Sequence, residues 1–176
     1  MPMAQIIAAA CALLSLAGAP EPLDELADPS FEEVVEATGL PAGWNAWTEP
    51  SAAAYSLADA RSGVACVAIL DESPEVSYGL RSDRVRVEPG ATYRASAWTK
   101  ILGGEKPGAA VYLEFWAGNQ RIENYSKGIS EAADWTEIIV EHVAPEGAEA
   151  ATVLIYAAST TMVHSLFDDA ALERVQ

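Results

Sequence analysis

Val87-Glu-Pro-Gly-Ala-Thr-Tyr-Arg-Ala-Ser-Ala-Trp-Thr-Lys100 is the stretch that decides the fold. It opens on a turn, Glu88-Pro89-Gly90, in which Pro fixes φ and Gly is free to take φ > 0. Strict alternation follows. Tyr93, Ala95, Ala97 and Thr99 point one way and Arg94, Ser96, Trp98 and Lys100 the other, the period-two pattern of a strand with the first set buried. Val111-Tyr-Leu-Glu-Phe-Trp116 repeats it, with Val111, Leu113 and Phe115 inward and Tyr112, Glu114 and Trp116 outward. Thr152-Val-Leu-Ile-Tyr-Ala157 buries Val153, Ile155 and Ala157 and turns Leu154 and Tyr156 out. On either side, short alternating runs are punctuated by Gly, Pro and Asp about every ten residues. Strands are predicted over 31–36, 44–48, 64–70, 76–87 with a break, 91–101, 109–116, 120–125, 135–143, 149–157 and 163–173. Ala144-Pro-Glu-Gly147 is a second turn, and both turns read as hairpin corners, whereas 103–108 is a looser loop. The fold class is all-β, a two-sheet antiparallel sandwich.

The chain of 176 residues fits one domain, 28–176, after an N-terminal signal peptide at 1–19 and an acidic lead-in at 20–27. Residues 3–19, MAQIIAAACALLSLAGA, form an uncharged apolar run too short to span a bilayer, with Ser15 and Ala17 suited to cleavage after about residue 17. The expected location is secreted or periplasmic. Cleavage removes Cys11 and leaves Cys66 alone, so no internal disulfide forms; Cys66 lies in an apolar run and reads as a buried, inert thiol. A formal net charge of −16 repels nucleic acid and anionic lipid, which excludes both as partners and excludes membrane insertion of the mature chain. Two Cys and two His at unsuitable spacing exclude a Cys/His zinc site.

The order of landmarks carries a resemblance: Asp28-Pro-Ser-Phe-Glu32, Pro41-Ala-Gly-Trp44, Arg61-Ser-Gly63, the 87–98 stretch, Asp134-Trp-Thr136, Ala144-Pro-Glu-Gly147 and Phe167-Asp-Asp-Ala170. Over about Asp28 to Glu173 the chain resembles the galactose-binding-like jelly-roll carbohydrate-binding modules found beside xylanases and other glucan hydrolases. That resemblance implies one structural calcium ion. Its ligands would be Glu32, a carbonyl of the 59–62 region, and Asp168 or Asp169, oxygen donors that suit Ca²⁺. The resemblance also implies a sugar site. A pyranose packs its C–H face on an aromatic ring and needs polar partners for its hydroxyl rim, which Trp98, Tyr112, Glu114, Trp116 and Tyr156, with Arg94 nearby, supply. Tyr112 to Trp116 spans about 13 Å of strand, enough for a short oligosaccharide. Trp44 and Trp135 read as packing residues, and Trp47 suits either role.

No catalytic constellation stands out. His142 and His164 lie away from any Gly-x-Ser-x-Gly turn, and the adjacent pairs Glu32-Glu33 and Asp168-Asp169 point to opposite faces of their strands. Asn124-Tyr-Ser126 is a formal glycosylation sequon. The expected protein is a non-catalytic exported module that binds a poly- or oligosaccharide. The alternative is an envelope or extracellular scaffold domain of the same fold with an exported protein partner and no sugar ligand.

Overall fold

The computed structural model describes residues 22–48, 53–56 by their backbone, 59–106, 108–157, 160 and 162–175. The expected signal peptide lies outside them. Thirteen strands and no helix occur among the described residues: β1 Val34–Val35, β2 Leu40–Pro41, β3 Trp44–Ala46, β4 Ala53–Ser56, β5 Cys66–Leu70, β6 Tyr78–Ser82, β7 Val85–Arg86, β8 Thr92–Gly103, β9 Ala109–Ala117, β10 Gln120–Ile129, β11 Thr136–Val143, β12 Ala150–Ala157 and β13 His164–Arg174. One sheet of six strands runs β10-β9-β12-β6-β3, with β7 also on β12; the other, of five, runs β11-β8-β13-β5-β4. All strand pairs are antiparallel, and β1 and β2 form a small separate ribbon.

The inner faces are those the alternation predicts. Ala95, Ala97 and Thr99 on β8 and Val111, Leu113 and Phe115 on β9 are fully buried, as are Val153, Ile155 and Ala157 on β12. They meet Phe31, Ile69, Leu80, Ile138 and Phe167 in one core between the sheets. Each large side chain there contributes about 1.5–3 kcal/mol through removal from water. Trp44, 4% exposed, packs edge-on against Phe31 at 4.9 Å, in keeping with its reading as a packing residue. Trp135, half-buried, packs on a small second cluster of Cys66, Ala68 and Leu166.

Several expectations are corrected. The two Pro-Gly turns exist, with Gly90 at φ 84° and Gly147 at φ 82°, but neither closes a hairpin. Each carries the chain from one sheet to the other, β7 to β8 and β11 to β12, and the two lie side by side through Gly90 N–H donating to Ala144 O at 2.9 Å. Strands β2 and β4 were not predicted, because Pro41 and the Ala-rich 52–54 run carry no alternation. The lead-in adds a contact to the six-stranded sheet: Leu23 bridges Val85, its N–H donating to Arg84 O and its carbonyl accepting from Arg86 N–H, each at 2.8 Å. Leu154 faces outward as expected yet is 2% exposed, with Tyr112 and Arg81 flanking it in register.

Candidate functional site

The outer face of the six-stranded sheet is assembled by register. Thr152 on β12 stands opposite Glu114 on β9, and the next row across runs Tyr112, Leu154, Arg81 and Asn45. Glu114 is the centre. Its carboxylate is 0% exposed and accepts from Arg81 Nε at 2.6 Å and Nη2 at 3.2 Å, from Arg121 Nη1 at 2.5 Å, and from Thr152 Oγ1 at 2.9 Å. Trp116 Nε1 in turn donates to Thr152 Oγ1 at 3.0 Å. Four donors on two oxygens are what a buried carboxylate requires, and two guanidinium groups held by one carboxylate leave the face locally positive.

The rings continue the array. The Arg81 guanidinium lies 4.3 Å over Trp47 and 5.0 Å over Trp116, and Arg84 lies 4.5 Å over Trp116. Trp47 meets Tyr156 edge-on at 6.1 Å, and Tyr156 meets Tyr112 edge-on at 5.3 Å. Aromatic and cationic groups therefore run unbroken across the sheet. A pocket of about 370 Å³ borders the tyrosine end, lined by Gly108, Ala110, Tyr112, Gly128 and Tyr156. Its low floor has a simple origin, since the row through Tyr156 is otherwise Gly128, Ala110 and Gly79. A Cβ on Gly79 would stand 2.4 Å from Ile155 O and 3.3 Å from the Tyr156 ring, so only glycine fits there. A second pocket of about 300 Å³, lined by Asn45, Arg81, Ser82, Asp83, Arg84 and Thr152, borders the arginine end. The larger hollow of about 670 Å³ is lined by 23–30, Glu32 and Glu33, the lead-in and the segment before β1, and no sheet side chain lines it.

Of the residues expected to bind sugar, Tyr112, Glu114, Trp116 and Tyr156 come together here. Trp98 and Arg94 do not. They stand on the outer face of the other sheet, where the Arg61 guanidinium lies 3.7 Å over Trp98 and Arg94 pairs with Glu141 at 2.9 Å. Alternation separates inside from outside, but a sandwich has two outsides. Arg81, Arg121 and Thr152 were missed, although the alternation that buries Leu80 turns Arg81 outward. Trp116, with guanidinium groups over it, is a wall more than an open platform.

The residues expected to hold calcium are also engaged. Asp168, fully buried, accepts from the backbone N–H of Arg61 at 2.8 Å, Ser62 at 3.1 Å and Asp169 at 2.8 Å. Burial pushes its carboxyl upward, against the lowering by those N–H groups. Asp169 takes Ser62 Oγ at 2.7 Å and Arg61 Nη1 at 2.5 Å. Glu32 accepts from Val64 N–H at 3.1 Å and Ala65 N–H at 3.3 Å, lying so close over Gly63 that a Cβ there would fall 2.0 Å from Oε1. Every carboxylate oxygen thus faces an N–H or O–H donor, and a guanidinium already sits in the cluster. The three carboxylates of the expected donor set are thus already satisfied within the chain.

The remaining candidates are scattered. His142 stacks on Tyr125 and His164 lies 3.5 Å from Glu72, each near the surface and apart from the other. Cys66 is fully buried, and Asn124 is exposed on β10.

Comparison with known proteins bears on this geometry. No curated protein matches the chain significantly. Among solved structures, a family 61 module in complex with β-1,4-galactotriose is similar at TM-score 0.55 and 22% identity, covering 86% of this chain and 98% of that one. The CBM22-1 xylan-binding domain of Paenibacillus barcinonensis Xyn10C is similar at TM-score 0.58 and 15% identity, covering 89% and 98%. A family 16 carbohydrate-binding module is similar at TM-score 0.58 and 18% identity, covering 76% and 92%. At these identities the likeness speaks for the jelly-roll fold. The family model for a carbohydrate-binding domain matches residues 26–161, and the chain belongs to that family.

Proposed function

We propose that this protein is a non-catalytic, exported module that binds a poly- or oligosaccharide across the outer face of its six-stranded sheet. The observation that carries the reading is the Tyr112–Tyr156 pair beside the 370 Å³ groove, continuous with the polar network on Glu114. The tyrosine rings meet the C–H face of a pyranose, and their hydroxyls, with Arg81 and Arg121, meet its rim. Glu114 holds the two arginines in place, because its own oxygens are fully engaged. Trp98 and Arg94 have no part in the site.

Affinity electrophoresis against soluble xylans, β-glucans and galactans tests this. Retardation of the wild type, lost in Tyr112→Ala and Tyr156→Ala and kept in Trp98→Ala, is the expected result. No retardation on any glycan, with stoichiometric co-purification of another exported protein, would give the face to the scaffold reading. Export is tested by sequencing the amino terminus of the mature chain, expected to begin near Gly18. For the terminal carboxylate cluster we propose that Arg61 supplies the positive charge otherwise asked of calcium.

A further inference from the structure

The charge balance of the arginine end goes further than sugar stacking. The chain has seven arginines among ten basic residues, against 26 acids. Six of the arginines pair with a carboxylate: Arg61, Arg81, Arg86, Arg94, Arg121 and Arg174. Among the described residues Arg84 alone pairs with none, in a chain where acids outnumber bases more than two to one. It is also held ready. Its Nη1 donates to Asn119 Oδ1 at 3.0 Å, and its guanidinium carbon lies 4.5 Å over the Trp116 ring, at the wall of the 300 Å³ pocket. The neighbouring Asp83 turns instead to Asn45 Nδ2 at 2.9 Å and forms no ion pair with it.

Resting on the sugar-binding reading above, we infer that this pocket receives a carboxylate of the ligand, so that the preferred polysaccharide carries uronic acid. A guanidinium fixed by an amide and an indole offers its remaining N–H groups as a fork matched to a carboxylate. Asn45 and Thr152, on the same wall, suit the hydroxyls of the same sugar. Two features limit how acidic the polymer is. Asp83, itself on the pocket wall, opposes a second carboxylate next to the one that meets Arg84, and a net charge of −16 opposes a chain charged at every residue. The fitting ligand is a largely neutral backbone with spaced uronate groups, whose carboxylate reaches Arg84 within the screening length of the rest of the surface.

Calorimetric titration compares glucuronoxylan with the same polymer after reduction of its carboxyl groups to alcohols, using wild type and Arg84→Met. Wild type is expected to bind the parent polymer about tenfold more tightly than the reduced one, with the difference shrinking as salt rises. Arg84→Met is expected to bind both alike, at the strength wild type shows for the reduced polymer. Polygalacturonate, charged at every sugar, is expected to bind wild type more weakly than glucuronoxylan. Equal binding of parent and reduced polymers by wild type overturns the inference and leaves the sugar face standing. Binding of neither polymer, nor of any neutral glycan, overturns both. The wild-type comparison does not depend on how the variant folds.

Discussion

The outer faces of the two sheets are built from the same parts to different ends. On the five-stranded sheet Trp98 lies under Arg61, Arg61 pairs with Asp169, Arg94 with Glu141 and Lys100 with Asp59, so that each of these cations meets one acid. On the six-stranded sheet Arg81 and Arg121 share Glu114, Arg84 has no acid, and a groove opens on each side. One face is closed on itself and the other has interactions left over. Both faces carry rings under guanidinium groups, but the six-stranded one carries the larger array and, unlike the other, a cation with no acid to meet it.

The most severe way to break this comparison is Glu114→Gln. It leaves two guanidinium groups side by side without their counter-charge, and should cost about 2 kcal/mol of stability as well as sugar binding. Urea denaturation checks it, and a variant as stable as wild type would mean that Glu114 does not organise the face. Next come the tyrosines. Tyr112→Ala or Tyr156→Ala should weaken glycan binding by about tenfold, whereas Trp98→Ala should leave it unchanged; equal losses from both sheets would erase the distinction drawn here.

Asp71, just after β5, sharpens the comparison as the opposite of Glu114. It is 1% exposed, takes one N–H from Ser73 at 2.9 Å, and leaves Oδ2 without a partner. Burial raises its pKa, opposed by the Ser73 N–H and by His164. A raised folded pKa means that this group's contribution is fully present below the unfolded value near 3.8 and is lost as pH rises through the folded one. Asp71→Asn should therefore be more stable than wild type at neutral pH, by about 1 kcal/mol, with the advantage vanishing toward pH 3. Melting curves of both proteins across that range decide it.

The smallest effect expected is none. If Arg61 serves as the cation of the Asp168–Asp169 cluster, the melting temperature of the wild type is indifferent to EDTA and to added Ca²⁺. Arg61→Ala should lower stability by about 1 kcal/mol, through loss of a partly exposed ion pair and of the contact with Trp98. A clear fall in melting temperature with EDTA would show that the closed face depends on a metal after all.

Much of this was legible in the residues. The run 93–99 and the run 111–116 announce which side chains form the core, because a strand's inside and outside are set locally by its period of two. The ordered landmarks from Phe31-Glu32 to Asp168-Asp169 point to the jelly-roll family. Other features were out of reach for identifiable reasons. Leu154 reads as exposed until neighbours on β9 and β6 close around it. Arg81, Arg121 and Thr152 carry no motif; Arg121 comes from the next strand, β10, but Arg81 and Thr152 come within hydrogen-bonding distance of Glu114 only because β6, β12 and β9, distant in sequence, lie side by side.

By itself, then, the chain's order of residues determined the long strands, their buried sides, the turns at Pro89-Gly90 and Pro145–Gly147, and the family. Only the tertiary structure decided that Trp98 and Tyr112 lie on opposite sides of the sandwich, that Glu114 clamps two arginines, and that Arg84 is left over. The reason is one of range. Side-chain direction depends on adjacent peptide units, but the sheet a strand joins depends on whether the turn before it folds back or crosses over, and the same Pro-Gly chemistry permits both.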